Sequence, residues 1–291
     1  MRKNNYQGYL YILPACIIIA VFTLYPLIKA FAMSFYTDYD FFTNTVEAYG
    51  PDNYAYLLGD KVFRKALVNT VIYVLFVVPL STILSLLLAV VLNGRIKFKK
   101  LFQTIFFLPY VTSVIAVGIA WSWIFHSKYG LINYFLSLLG IRAVPWLNSP
   151  STAMIALIIF SIWKDLAFNI IIFLAGLQNI DPQYYQAARV DAAPRWRVFT
   201  RITVPMISPM IVYALIMGFI SSFKVYNEVY ALFGGNAGPA NSAITVVYYI
   251  YDKFYGNWDF GVASAAAVVL FLIILILTLV QLKISKSKVY Y

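Results

Sequence analysis

Two groups of ionisable side chains lie where a chain this apolar carries them least easily. Lys164 and Asp165 interrupt the long apolar run from Ser151 to Leu177, about a dozen residues from its start. At 1.5 Å per helical residue they lie roughly 18 Å in, near the middle of a bilayer. Ionisable groups at that depth mark transport paths and proton relays, or pair with another helix as a structural ion pair. Neighbours in sequence do not face each other on a helix, so the two are not expected to pair with one another. Asn169 lies four residues beyond Asp165 and can share its face. Lys164, Asp165 and Asn169 form a candidate translocation path. Lys224, Asn227 and Glu228 follow another apolar run and form a candidate outer vestibule, with a plain interfacial role as the alternative for each.

Covalent chemistry has little to work with. The chain holds one His and one Cys. Cys16 lies in an apolar run, and one thiol makes no internal disulfide and no zinc site. His126 follows Trp123-Ile124-Phe125 and reads as an interfacial or packed histidine. No stretch fits the phosphate-cradling Gly-x-x-x-x-Gly-Lys-Ser/Thr pattern. The run Gly234-Gly235-Asn236-Ala237-Gly238 lacks the lysine and is expected to be a flexible loop. No catalytic residue, metal site or cofactor is therefore expected in this chain, and any ATP is bound by another.

The third notable stretch runs from Gln178 to Pro209, a polar, arginine-bearing interruption between two apolar runs. Asp181 can cap the free N–H groups of a helix that starts at Pro182, since proline tolerates the first helical position. Pro194 disfavours a helical Ala193, so a bend falls there, and Pro205 marks the start of the next span. The loop, residues 178–203, reads as two short helices joined by a bend, outside the hydrocarbon.

This frame closely resembles the cytoplasmic motif of the membrane-spanning permease subunits of binding-protein-dependent ABC importers. That motif runs Glu-Ala-Ala, three residues, Gly, nine residues, Ile-x-Leu-Pro. The frame is filled here by Gln186-Ala187-Ala188, then Ala192, then Ile202-Thr203-Val204-Pro205. Gln186 stands for Glu, Ala192 for Gly and Val204 for Leu. The Ala192 change matters most, because Gly adopts positive φ at little steric cost and Ala does not. Either the bend differs or φ stays negative. The resemblance implies that Asp181, Gln186, Ala187, Ala188, Asp191, Ala192, Arg195, Ile202 and Pro205 belong to a loop that couples to an ATP-hydrolysing subunit. An ordinary amphipathic loop is the plain alternative.

The elements that must carry these groups follow from composition. The 291 residues are 62% hydrophobic and 11% charged. A soluble domain carries about a quarter charged residues, so a bilayer is the natural solvent. Spans are expected at about 10–35, 67–92, 101–125, 151–177, 204–225 and 261–282, each near the twenty residues a crossing needs. The first is too long for a signal-peptide core and is read as a retained helix. A surface helix is expected within 53–63, and another at Leu131 to Leu139. The fold class is thus an all-α membrane protein with six transmembrane helices in one domain. Its coupling loop lies between spans 4 and 5.

Charge placement orients the spans. The segments on the side of the termini hold 13 Lys and Arg, among them Arg2, Lys3, Arg95, Lys97, Lys99, Lys100 and Lys288; the opposite side holds six. The positive-inside rule then places both termini and the 178–203 loop in the cytoplasm. Eight of the eleven acidic residues fall on the outer side. The net charge of +11 is therefore mostly membrane orientation, and nucleic acid drops out as a partner.

Softer likenesses to the carbohydrate-uptake branch, the maltose type, lie in Asn53-Tyr54, Phe63, Ala66-Leu67 and Asn69-Thr70, and in Ala175-Gly176-Leu177-Gln178. The resemblance spans nearly the whole chain. It implies a sugar or oligosaccharide importer in a bacterial cytoplasmic membrane, with this chain as half of the path. Its implied partners are a second permease subunit, two ATPase subunits that bind ATP and Mg, and an extracellular solute-binding protein. Rival readings are an importer of another solute such as a glycerol-phosphate ester, an ion-driven carrier using Lys164 and Asp165, and an intramembrane enzyme, whose residues are missing.

Overall fold

The computed structural model describes residues 6–40, 43, 45–94 and 97–286. Arg2, Lys3, Arg95 and Lys288, which enter the charge census, lie outside the described residues. The first apolar run folds as α1 (Tyr6–Ile19) and α2 (Tyr25–Met33), joined by a wide π-turn at Ala20–Leu24. Pro26 follows that turn directly. Its ring and missing N–H cannot serve the carbonyl four residues back, and widening the helix there relieves the clash.

The next segment departs from the all-α expectation. Tyr36–Asp40 (β1) and Thr45–Tyr49 (β2) pair antiparallel, Tyr36 opposite Tyr49 and Asp40 opposite Thr45. Tyr, Thr and Val make up much of both strands, and such residues favour the pleated, half-buried surface of a sheet. Helix α3 (Asp52–Gly59) follows as the expected surface helix. Its buried Asn53 donates to the carbonyls of Ser34 at 3.0 Å and Tyr36 at 2.9 Å.

Helix α4 (Lys61–Asn93) starts six residues before the expected 67. The reason is Asp60, whose carboxylate accepts from the Val62 N–H at 2.7 Å and from the Tyr249 hydroxyl at 2.7 Å. Burial, and then the bond to Asp60, hold the Tyr249 hydroxyl protonated well above the ordinary tyrosine range.

The third span is not a straight helix. α5 (Lys99–Val111) and α6 (Val114–Ile124) meet at 106°. Pro109 lies in the last turn of α5, and Thr112 and Ser113 are extended. The Thr112 hydroxyl donates to the carbonyls of Leu108 and Pro109 at 3.1 and 3.2 Å, serving acceptors that the helix end leaves open. α7 (Leu131–Leu138) falls where a helical stretch was expected, and α8 (Ala153–Gln178) covers the run expected as the fourth span.

The loop after α8 forms α9 (Pro182–Val190), α10 (Arg195–Val198), a π-turn at Phe199–Thr203 and α11 (Val204–Met206). This second π-turn again ends just before a proline, Pro205. The fifth apolar run is α12 (Ser208–Phe223), set at 68° to the preceding helical segment, so it starts at Ser208 rather than at Val204. Helices α13 (Asn227–Leu232), α14 (Val246–Tyr251) and α15 (Phe260–Lys286) complete the chain. Four helices are individually long and apolar enough to cross a membrane, and the two bent pairs raise the number to as many as six.

The chain divides into two compact units, Met1–Arg64 with Tyr249–Leu272, and Lys65–Tyr248 with Ile273–Tyr291. In the first, Gly261 opens α15 where a Cβ would lie 2.3 Å from the Tyr36 carbonyl oxygen, so only glycine fits. In the second, buried Ala89, Leu92, Phe173, Leu177, Ile180 and Ile207 form a core shared by α4, α8 and the loop that follows α8.

Two connecting segments are more tightly built than their sequence suggests. The Gly234–Gly238 run, expected to be a flexible loop, is a bonded turn: Gly235 donates to Tyr230 O at 2.8 Å and accepts from the Tyr248 hydroxyl at 2.7 Å. Asn133, buried on α7, donates to Ser127 O and Val144 O at 3.0 and 2.9 Å. It accepts from Val144 N and Trp146 Nε1 at 3.0 and 3.1 Å. Replacing it strands those four groups. Asn133→Ala is expected to cost about 3 kcal/mol of local stability, read as faster amide exchange over residues 141–148 with the spans unchanged.

Candidate functional site

The residues singled out from the sequence gather at two places in the second unit. The first is the loop after α8. The Asp181 carboxylate accepts from Gln183 N at 2.8 Å, capping α9 with Pro182 in its first turn, as expected. At the other end, Ala192 N–H donates to Arg189 O at 3.1 Å and Ala193 N–H to Ala188 O at 2.9 Å. These are the paired bonds of a Schellman cap, which needs a left-handed residue between them. That residue is Ala192, with φ of +48°. The alternative left open by the sequence is settled: Ala takes the conformation that Gly would take more cheaply. Pro194 then prevents the helix from resuming until Arg195.

The cap fixes which face of α9 turns inward. Ala188 is buried, while Gln186, Ala187 and Asp191 are exposed. The Tyr185 hydroxyl lies 3.2 Å from the Thr203 hydroxyl, joining α9 to the π-turn that precedes α12. Ile202 and Pro205 are half-buried. Ile180 and Ile207, at the two ends of the loop, sit in the same apolar core as Leu92 of α4 and Leu177 of α8. The loop is thus anchored on three helices. A cleft of about 620 Å³ opens beside it, lined by Asn93, Leu177, Arg189, Arg195 and Phe199.

The outward face is unusual. Val190 is 87% exposed and Trp196 is 72% exposed, with Tyr184 also open to solvent. Arg189, Arg195, Arg197 and Arg201 make no ion pair among the described residues. Exposed apolar side chains ringed by cations without an ion pair are uncommon on a surface that meets only water.

The second place is the middle of α8. A cavity of about 260 Å³ brings Lys164, Asp165 and Asn169 together with Ser81, Tyr110 and Ser221. Lys164 is paired with Glu228 and, as expected, not with its neighbour Asp165. Among the described residues the Asp165 side chain has no hydrogen-bond partner. Glu228, expected in an outer vestibule, instead turns to α8. Lys224 and Asn227 are exposed and do not line the cavity. The reason is close packing of α13 on α6: a Cβ at Gly118 would lie 2.4 Å from the Ala231 Cβ. That contact brings the first turn of α13 over Lys164.

Sequence reasoning missed Tyr110, Ser81 and Ser221. Tyr110 stands at the break between α5 and α6 and stacks on Phe168, with ring centres 5.5 Å apart and 24° between planes. The signal available for it was Pro109 in the middle of an apolar run. The cavity offers an ammonium group, a carboxyl group, an amide, hydroxyls and an aromatic face.

The pattern of the binding-protein-dependent transport system inner membrane component family matches residues 54–289. A lactose transport system permease protein of Rhizobium radiobacter is 35% identical over 92% of this chain and 91% of its own length. A trehalose/maltose transport system permease protein of Thermococcus litoralis is 33% identical over 97% and 94%. A bacterial alginate ABC transporter, solved with an alginate pentasaccharide-bound periplasmic protein, superposes with a TM-score of 0.80. The match is 27% identical and covers 95% of this chain and 93% of that one.

The geometry sets two expectations. Ala192→Gly is expected to stabilise the protein by about 1 kcal/mol, since left-handed φ costs a residue with a Cβ about that much more. Thermal unfolding in detergent measures it. Lys164→Met and Glu228→Gln are expected to be non-additive by about 1 kcal/mol in a double-mutant cycle, modest because both side chains keep some water contact.

Proposed function

This chain belongs to the family of binding-protein-dependent transport system inner membrane components, and we propose that it is one of two permease subunits of an ATP-driven importer of a sugar or oligosaccharide. The single observation that carries the reading is the loop at 178–203. Its family frame is built as helix, Schellman turn and helix, anchored to three spans and open on its apolar, cationic face. The lactose and trehalose/maltose relatives and the alginate transporter support a carbohydrate cargo. The 260 Å³ cavity with Tyr110 stacked on Phe168 agrees with it, because a sugar ring presents C–H groups to an aromatic face and hydroxyls to polar ones.

In this reading the two bent pairs each count as one crossing. Six spans then form one transmembrane domain of a bacterial cytoplasmic membrane, with both termini and the loop in the cytoplasm. A partner ATPase binds ATP and Mg and docks on Tyr184, Val190 and Trp196. Its closure pulls α9, and the Tyr185–Thr203 contact and the Ile180–Ile207 core pass the movement to α4, α8 and α12. The spans then shift between inward and outward access. A second permease, a second ATPase subunit and a solute-binding protein complete the assembly. This chain performs no covalent step.

An ion-driven relay is the weaker reading, since Lys164 is already compensated by Glu228 and the loop would have no role. The test is purification of the tagged chain from mild detergent with identification of what accompanies it. An ATPase, a second multi-span protein and a soluble binding protein are expected. Recovery of the chain alone, active in ion-driven uptake, overturns the proposal. Ala188→Glu forces a charge into the buried contact of α9. It is expected to reduce uptake at least tenfold while the protein still inserts, measured with labelled sugar in cells. Asp165→Asn and Tyr110→Ala are expected to lower uptake without releasing the ATPase from the complex.

A further inference from the structure

A groove of about 560 Å³ runs between α5 and α8, bordering the cavity in the middle of α8 and ending at Gln178, where the loop begins. Its two ends differ in chemistry. Lys100, Gln103 and Gln178 stand at one end, and Phe107, Ile171 and Leu174 line the rest. Along α8 the wall from Gln178 back to Ala167 is about 16 Å long, roughly one leaflet of hydrocarbon. The polar end is charged in one sign only. Lys97, Lys99 and Lys100 cluster at the start of α5, which has no acidic residue in its first turn, and none of them has an ion-pair partner among the described residues. Cations at a helix N-terminus repel its dipole, so this end of the groove is locally unfavourable until an anion neutralises it. Among the described residues Gln103 and Gln178 have no side-chain hydrogen-bond partner.

We infer that this groove binds an anionic phospholipid of the cytoplasmic leaflet, with its phosphate at Lys100 and one acyl chain against Phe107, Ile171 and Leu174. The charge pattern selects this occupant. An apolar span laid in the groove would match the wall alone and leave the lysine end without an anion. A phospholipid supplies both parts in one molecule, at the spacing the groove presents. The inference rests on the orientation proposed above, which puts the lysine end in the cytoplasm.

The test is native mass spectrometry of the purified importer complex after exchange into phosphatidylglycerol or phosphatidylcholine. The complex is expected to retain phosphatidylglycerol over phosphatidylcholine. Lys100→Gln is expected to lower that retention about fivefold, in line with one basic residue near a charged surface. Ala175→Phe, which fills the groove without touching the charge, is expected to lower retention of both lipids. Equal retention of the two lipids by the unaltered complex, or no change in either variant, overturns the inference. So does a photo-crosslinker at Gln103 that captures a second permease chain instead of lipid. The orientation is read separately, by labelling a cysteine placed at Lys100 with a membrane-impermeant thiol reagent in a Cys16→Ser background. Labelling from outside the cell contradicts the orientation, while lipid retention still reports on the groove.

Discussion

The bond from Ala193 N–H to the Ala188 carbonyl closes the turn after α9, and most of the loop's geometry depends on it. The closure buries Ala188, ends the helix before Pro194 and turns the chain so that α10 can lead into the π-turn and α12. It requires a left-handed residue, and Ala192 supplies one at a strain of about 1 kcal/mol. A short loop affords such strain only when its surroundings fix it. Here they do, through the Asp181 cap at one end, the Tyr185–Thr203 contact in the middle, and Ile180 with Ile207 in the core. The same rigidity means that little of the loop can bend separately from the helices beneath it.

Much of this was legible in the sequence. Asp181-Pro182 announced a cap and Pro194 a break, because each has a local backbone cause, whereas the bend into α12 falls at Ile207 and not at Pro205. The need for positive φ at position 192 was visible only as a choice, since the sequence places an alanine where the family frame has glycine. Apolar length gave the positions of the long helices, but not their bends. The 106° break at Thr112–Ser113 depends on how two extended residues and Pro109 act together, and apolar patterning is silent about that. The β1–β2 hairpin was missed because its strands are five residues each, carry acidic residues and lack a clean alternation, so they read equally as an irregular segment.

The candidate path shows the same division. Depth in an apolar run was enough to mark Lys164 and Asp165, because a charge there needs a compensating partner. It did not identify that partner. Glu228 is 64 residues away in sequence and reaches Lys164 only because Gly118 lets α13 approach α6. Such long-range packing lies beyond any local pattern. Tyr110 and the serines of the cavity were hidden for the complementary reason: uncharged side chains in an apolar run look like packing until the cavity between them is seen.

The central claim is that the outward face of α9 and α10 is the surface on which an ATP-hydrolysing partner acts. Val190, the most exposed apolar residue of that face, is where to test it. A cysteine in place of Val190, in a Cys16→Ser background, is to be cross-linked in native membranes with and without ATP. The account predicts a cross-link to an ATPase subunit whose yield changes when ATP is bound. A chain that supports full uptake and yet never cross-links to an ATPase from this position contradicts it.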